Sequence, residues 1–177
     1  MIRAAVLTIS DSSFSGLRAD ESGPAVSERL ERWGWEIGVA ETLPDEREPI
    51  AARLRALANS GQVSAIFTTG GTGIAKRDVT PEATRDVLDI EIPGLAERMR
   101  AIGARHTPLA ALSRAVAGVA GRVLIVNLPG SPRGAVESLD AIVELVPHVL
   151  ELLAGTTKHG GSSKRRAQCR RPLNIRP

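Results

Sequence analysis

Apolar residues run through this chain in short blocks that alternate with stripes at helical spacing. The block at residues 4–9 ends in Ser10-Asp11-Ser12-Ser13 and predicts a buried strand followed by a polar loop. Gly23-Pro24 precedes Ala25, Val26, Leu30 and Trp33 at helical spacing, which predicts a helix over residues 22–33 closed by Gly34. Residues 35–41 alternate as a second strand, and Leu43-Pro44-Asp45-Glu46 reads as a turn before a helix reaching Asn59, with Ile50, Leu54 and Leu57 on its inner face. A third strand over residues 63–67 leads into a glycine-rich loop. There Thr80-Pro81-Glu82 reads as an N-cap followed by proline in the first turn, so a helix is expected over residues 81–88. Beyond a break at Ile92-Pro93-Gly94, the pattern gives a helix over residues 95–105 and a short strand over residues 112–116 with a turn at Gly118. A strand over residues 122–127 and a long helix over residues 134–153 follow, the helix kinked or divided by Pro147.

Strand and helix alternate several times, which predicts an α/β fold: a mostly parallel twisted sheet with helices on both faces, a three-layer sandwich. The 177 residues are about the size of one domain, and the expected division is a single globular unit over residues 1–154 and a basic, flexible tail over residues 155–177. With no Tyr, two Phe and two Trp, the interior must be filled by Leu, Val, Ile and Ala. Net charge is +3, but the tail holds seven cations and no acid, leaving 16 basic against 20 acidic residues before it. No base-stacking aromatics accompany the tail arginines, so a solvated tail is expected rather than a nucleic-acid arm. One cysteine, Cys169, excludes a disulfide framework within the chain and points to reducing cytoplasm. No run approaches the ~20 apolar residues that span a membrane, and no signal peptide is expected.

Four polar loops follow predicted strands: residues 10–13, 44–46, 68–78 and 127–132. In an open parallel sheet ligands bind outside the carboxyl ends of the strands, where such loops meet. Gly70, Gly71 and Gly73 allow backbone angles closed to other residues, so amides can converge on an anion without a side chain in the way. The run is not a Walker loop, lacking Gly-Lys-Ser/Thr at the required spacing, nor the dinucleotide fingerprint. Taken alone it reads as a phosphate-binding loop or as a tight turn with a polar finish. His106 and His148 have no Ser or Cys partner at a strand-to-helix elbow and carry no triad logic.

Seven ordered blocks give the chain a resemblance to a known family. They are Thr8-Ile-Ser-Asp11, Leu43-Pro-Asp-Glu46, Thr68-Thr-Gly-Gly-Thr-Gly73, Arg77-Asp-Val-Thr-Pro-Glu-Ala83, Ile92-Pro-Gly-Leu-Ala-Glu97, Leu112-Ser-Arg-Ala-Val-Ala-Gly118 and Asn127-Leu-Pro-Gly-Ser-Pro132. Over roughly the first 154 positions the chain resembles the molybdopterin adenylyltransferases of molybdenum-cofactor biosynthesis and the related gephyrin-type domains.

The resemblance implies a molybdopterin-binding-domain-like fold, and Mg²⁺-dependent transfer of AMP from ATP to the terminal phosphate of molybdopterin with release of pyrophosphate. It also implies a homotrimer and transient contact with other enzymes of the cofactor's synthesis. Asp45 and Asp78 match the family's two catalytic carboxylates. Beside bound phosphates, two such acids call for a hard cation between, which predicts Mg²⁺ shared with nucleotide oxygens. Thr69, Gly70, Gly71, Thr72 and Gly73 are expected to cradle a phosphate. By resemblance, Ser10 and Asp11 lie on the nucleotide or pterin rim, Ser113 and Arg114 face the pterin, and Pro129, Gly130 and Ser131 line the opposite wall. The bland readings stay open: Asp45 as a helix N-cap, Asp78 as a turn acid, Arg114 as a surface ion-pair partner, Ser113 as a strand-end hydroxyl, Lys76 and Arg77 as solvated charges. A non-catalytic pterin-binding paralogue acting as carrier or scaffold is the alternative function.

Overall fold

In the computed structural model, which describes residues 1–155, strands β1 (Arg3–Ile9), β2 (Glu36–Leu43), β3 (Ala65–Thr69), β4 (Ile90–Glu91), β5 (Ala117–Ala120) and β6 (Val123–Leu128) form one sheet in the order β2-β1-β3-β6-β5-β4. Neighbouring pairs from β2 to β6 are parallel, while β5 runs antiparallel to both β6 and β4. The expected α/β, mostly parallel architecture is the one observed. The expectations for residues 156–177, including the basic tail, lie outside the described residues.

Both faces of the central strands are apolar, because both are covered. Ala4 and Val6 of β1 and Phe67 of β3 point to one face, where they pack with Val26 and Leu30 of α2 (Ser22–Arg32), Met99 of α5 (Pro93–Gly103) and Leu139 of α6 (Pro132–Ile142). Ala5, Leu7 and Ile9 alternate to the other face, against Ile50, Leu54 and Leu57 of α3 (Arg47–Asn59) and Ala83 of α4 (Thr80–Arg85). The period of two along each strand thus feeds two separate cores, the middle layer of a three-layer sandwich. Among the described residues no helix is long and apolar enough to cross a membrane.

Three expected elements shift. The loop at Ser10–Ser13 closes into a one-turn helix, α1 (Asp11–Phe14), because the Ser10 hydroxyl accepts the Ser13 amide at 3.2 Å. The expected strand at residues 112–116 is instead a 3₁₀ turn, Pro108–Leu112, followed by β5, whose turn is at Gly121 rather than Gly118. Gly118 sits inside β5 because the strand pairs there with β4, a two-residue partner too short to show a period: a Cβ on Gly118 would strike the Ile90 carbonyl oxygen and Leu88. The long final helix is divided, as Pro147 allows, into α6, a 3₁₀ turn (Val143–Leu145) and α7 (Val146–Leu153).

The close approach at Gly118 predicts that Gly118→Ala lowers stability by about 1–3 kcal/mol through overpacking. The urea midpoint should fall at unchanged slope; a midpoint equal to that of the parent protein contradicts the packing described.

Candidate active site

The strands β1, β3 and β6 end at one level, since their register pairs Thr8 with Thr69 and Thr69 with Leu128. The Ser10 amide donates to the Leu43 carbonyl at 3.0 Å and the Gly70 amide to the Leu128 carbonyl at 3.1 Å, so adjacent loops leave the sheet tied to one another. Gly70 and Gly71 have φ of +94° and +62°, in the left-handed region. A side chain on Gly70 would collide with the Ile9 carbonyl, and one on Gly130 would stand 3.2 Å from the Gly70 Cα. The loops after β1, β3 and β6 therefore meet backbone to backbone, as only glycine permits. Beneath them Asn127 is fully buried and satisfied: its amide nitrogen donates to the Thr68 and Thr84 hydroxyls at 3.0 and 2.8 Å, and its oxygen accepts the Val116 amide at 3.2 Å.

Two clefts open along this rim. The larger, about 490 Å³, lies between the glycine loop, α5, the 3₁₀ turn and the start of α6; Thr72, Gly73, Ser113, Pro129 and Ser131 line it together with Met99, Thr107 and Leu109. The smaller, about 180 Å³, lies beneath the ends of β1 and β3 and is walled by Ser10, Asp45, Thr69 and Gly70, with the cations Arg18 and Arg77. Gly71, Asp78 and Gly130 belong to both. Twelve of the fourteen residues singled out in the sequence border one cleft or the other.

Asp11 and Arg114 do not. Asp11 is a partner of Asp45: each backbone amide donates to the other's carboxylate, at 2.9 and 2.8 Å. Arg114 turns to the outer side of the glycine loop, toward a shallow depression with Lys76, Val79 and Glu82. Its Nε donates to the Gly73 carbonyl at 2.6 Å, one terminal nitrogen to the Asp78 carbonyl and the other to the Glu82 carboxylate. The expected pterin-facing arginine is corrected on this point, because every arm of its guanidinium is taken up by the protein.

Asp45 is not a helix cap, since Glu46 stands at that position and makes no side-chain cap bond. Burial holds the Asp45 carboxyl above its ordinary value; the Asp11 amide and Arg77 act against the shift, and the Asp11 and Asp78 carboxylates add to it. Asp78 closes its own loop, its carboxylate accepting the Ala75 amide at 2.7 Å. Thr80, expected as an N-cap, is instead fully buried under Gly71; its amide donates to the Gly71 carbonyl at 3.2 Å and its hydroxyl has no hydrogen-bond partner among the described residues. Among the described residues no group of three or more His, Cys, Asp or Glu could by itself hold a metal ion. A pair of carboxylates at the mouth of a cleft, one resisting ionisation, nonetheless fits a hard cation that takes its remaining ligands from a bound phosphate.

Several lining residues escaped the sequence reading. Asp20 ties the start of α2 to β1, accepting the Ser22 and Gly23 amides at 3.0 and 3.1 Å and the Thr8 hydroxyl at 2.6 Å; an acid two residues ahead of a predicted helix start is its signal. Glu137 faces the larger cleft from α6, and nothing in its sequence context separates it from a solvated helix acid. Arg133 accounts for the lowered pKa of the Glu137 carboxyl, through a hydrogen bond of 2.7 Å.

Residues 5–148 match the family model described as "Probable molybdopterin binding domain". The chain belongs to this family. It is 38% identical over 157 residues to the molybdopterin adenylyltransferase of Helicobacter pylori strain J99, covering 87% of this chain and 89% of that protein. It is 40% identical over 149 residues to the molybdenum cofactor synthesis protein cinnamon of Drosophila melanogaster, where it covers 84% of this chain but spans only 25% of that longer protein. Among solved structures, the molybdopterin biosynthesis enzyme MoaB of Thermus thermophilus superposes with a TM-score of 0.82 at 52% identity, over 88% of this chain and 98% of that one. The molybdopterin-binding-domain fold expected from the seven motif blocks is thus the one present.

The raised Asp45 pKa fixes the sign of a stability effect. The folded carboxyl binds its proton more tightly than the unfolded chain does, so its contribution to stability falls as pH rises from about 4, the ordinary carboxylate value, through the higher folded value. Asn at this position still accepts the Asp11 amide and has no proton to lose. The stability of Asp45→Asn relative to the parent protein, measured by urea unfolding, should therefore rise between about pH 4 and neutrality. A relative stability that falls over that interval contradicts the assignment.

Proposed function

We propose that this member of the family is a molybdopterin adenylyltransferase that joins two substrates at the wall between its clefts. The observation that carries the reading is the sharing of Gly71, Asp78 and Gly130 by both cavities. A terminal phosphate entering from the larger cleft and an α-phosphate entering from the smaller one reach the same bed of backbone amides. The phosphate monoester oxygen of molybdopterin attacks the α-phosphorus of ATP, the bond from that phosphorus to the bridging oxygen breaks, and pyrophosphate leaves. The chain's own part is to bring the anions together in line and to offset charge with amides and with Arg18 and Arg77. Asp45 and Asp78 would hold Mg²⁺ jointly with phosphate oxygens, and the ion would supply neutralisation of the nucleotide charge.

The larger cleft suits the pterin. Glu137, whose carboxyl the Arg133 hydrogen bond holds below its ordinary value, is ionised at neutral pH and an acceptor only. The aminopyrimidinone edge of a pterin presents two adjacent N–H donors, which one carboxylate accepts together. Adenine presents one such donor beside an acceptor, a poorer match to a carboxylate. Pro129, Gly130 and Ser131 form the wall opposite Ser113, and Ser10 and Thr69 border the polyphosphate side. Assembly as a homotrimer is supported by the apolar side chains of Leu17, Ile74 and Leu109, each more than two-thirds exposed in the single chain; a monomeric mass at micromolar concentration would count against it.

With ATP, Mg²⁺ and molybdopterin, the protein should release pyrophosphate, and Asp45→Asn and Asp78→Asn should each lower kcat by roughly 100-fold or more while retaining pterin binding. Full activity in the double variant rejects the role of the two acids. Glu137→Gln should raise the KM for molybdopterin by about 10-fold, the cost of one charge-assisted hydrogen bond, with the KM for ATP unchanged. The opposite selectivity would exchange the two substrates between clefts.

A further inference from the structure

The loop from Thr72 to Val79 carries Asp78 yet contains neither strand nor helix, so its carbonyls must find partners elsewhere. Arg114 supplies them. Its backbone amide donates to the Thr72 carbonyl at 2.9 Å, and its guanidinium spans the Gly73 and Asp78 carbonyls, the two ends of the turn, while also binding Glu82. Glu82 stands in the first turn of α4. Burial is the largest single influence and pulls its carboxyl upward, but the hydrogen bond from Arg114, one from its own backbone and the charges of Arg114 and Arg85 together outweigh that pull and hold the carboxyl below its ordinary value. Among the described residues the second oxygen of Glu82 is buried with no hydrogen-bond partner, so Arg114 is the one side chain that donates a hydrogen bond to this carboxylate there.

From this geometry we infer that Arg114 and Glu82 form a strut: they are positioning residues that hold the loop in one shape and thereby aim the Asp78 carboxylate at the wall between the clefts. Only a planar fork reaches two carbonyls and a carboxylate in different directions at once; a lysine ammonium at the same place keeps the charge and loses the span. The loop is pinned on its inner side by the backbone contacts of Gly70 with Ile9 and Gly130, and on its outer side by Arg114. Asp78 itself is fixed between, its carboxylate on the Ala75 amide and its carbonyl on Arg114.

The catalytic half of this inference rests on the adenylyl-transfer reading, and its test therefore has two arms. In the first, hydrogen exchange of the ligand-free protein is followed in peptides covering residues 72–79. Arg114→Lys should exchange faster there, with strands β1, β3 and β6 unchanged, and Glu82→Gln should do so less. In the second, kcat for pyrophosphate release should fall by roughly 100-fold in Arg114→Lys, the scale of a small misplacement of a reacting group. Both KM values should change much less, and the double variant should be no worse than Arg114→Lys. Unchanged loop exchange overturns the strut. So does a rise in KM with kcat kept, which marks a direct phosphate ligand, and so do strictly additive effects of the two substitutions. If the parent protein releases no pyrophosphate, the functional reading fails, while the exchange arm still decides whether the strut exists.

Discussion

The parallel pairing of β3 between β1 and β6 is the constraint on which the site depends. Its register places Thr8, Thr69 and Leu128 side by side, so the residues that follow them leave the sheet at one height. A slip of one residue would turn Thr68 and Asn127 to the opposite face, where no Thr84 waits, and would carry Phe67 out of its core. The same register makes glycine necessary at position 70 and leaves little room for a side chain at position 130, because three loops leaving one edge at one level crowd their backbones together. Packing of the two cores thus fixes the height of the rim, and the rim fixes where amides converge.

Onto that rim the chain brings carboxylates that do not favour one another. Asp45 is partly buried beside Asp11 and Asp78, and its ionisation is disfavoured by burial before any neighbour acts. The reciprocal amide bonds between residues 11 and 45 hold two acids close despite their like charge. Arg77, 3.9 Å from the Asp11 carboxylate, relieves the repulsion only in part. Such an arrangement is a cost to the folded chain and, under the proposed function, a gain to a site that receives polyanions through a cation, a familiar conflict between stability and activity. Arg77 belongs to the smaller cleft, and Lys76 borders the outer depression.

What the sequence made legible follows from periodicity and punctuation. The central strands were readable because both of their faces are apolar, and α2, α3 and α5 because their stripes run three turns or so. The β4–β5 region was not, since two residues of β4 carry no period and Gly118 looks like a turn until its neighbour across the ladder is known. Thr80 shows the same limit: its N-cap signature is genuine, but the tertiary contact with Gly71 draws the hydroxyl inward and starts the helix at Thr80 itself. Twelve of the fourteen residues expected at the site border a cleft because strand ends gather loops, a matter of topology that alternation already implies. Glu137 was missed because it reaches the larger cleft from the flank of α6, where a charged residue reads as solvated surface.

Arg114 marks the difference between membership of a motif and a role in chemistry. A motif records that a residue is needed; which atoms it touches depends on the direction its side chain takes from the backbone. Here the Arg114 amide is bonded to the Thr72 carbonyl, which sets the segment edge-on to the glycine loop and sends the long side chain along the loop's outer edge, away from the larger cleft that Ser113 lines. The neighbours Ser113 and Arg114 therefore part company, one facing the cleft and the other supporting it from behind. A loop rich in glycine binds anions well only if it does not move, because each glycine adds backbone freedom that must be removed. The supporting arginine is the counterpart of the glycines: they allow the shape, and it holds the shape in place.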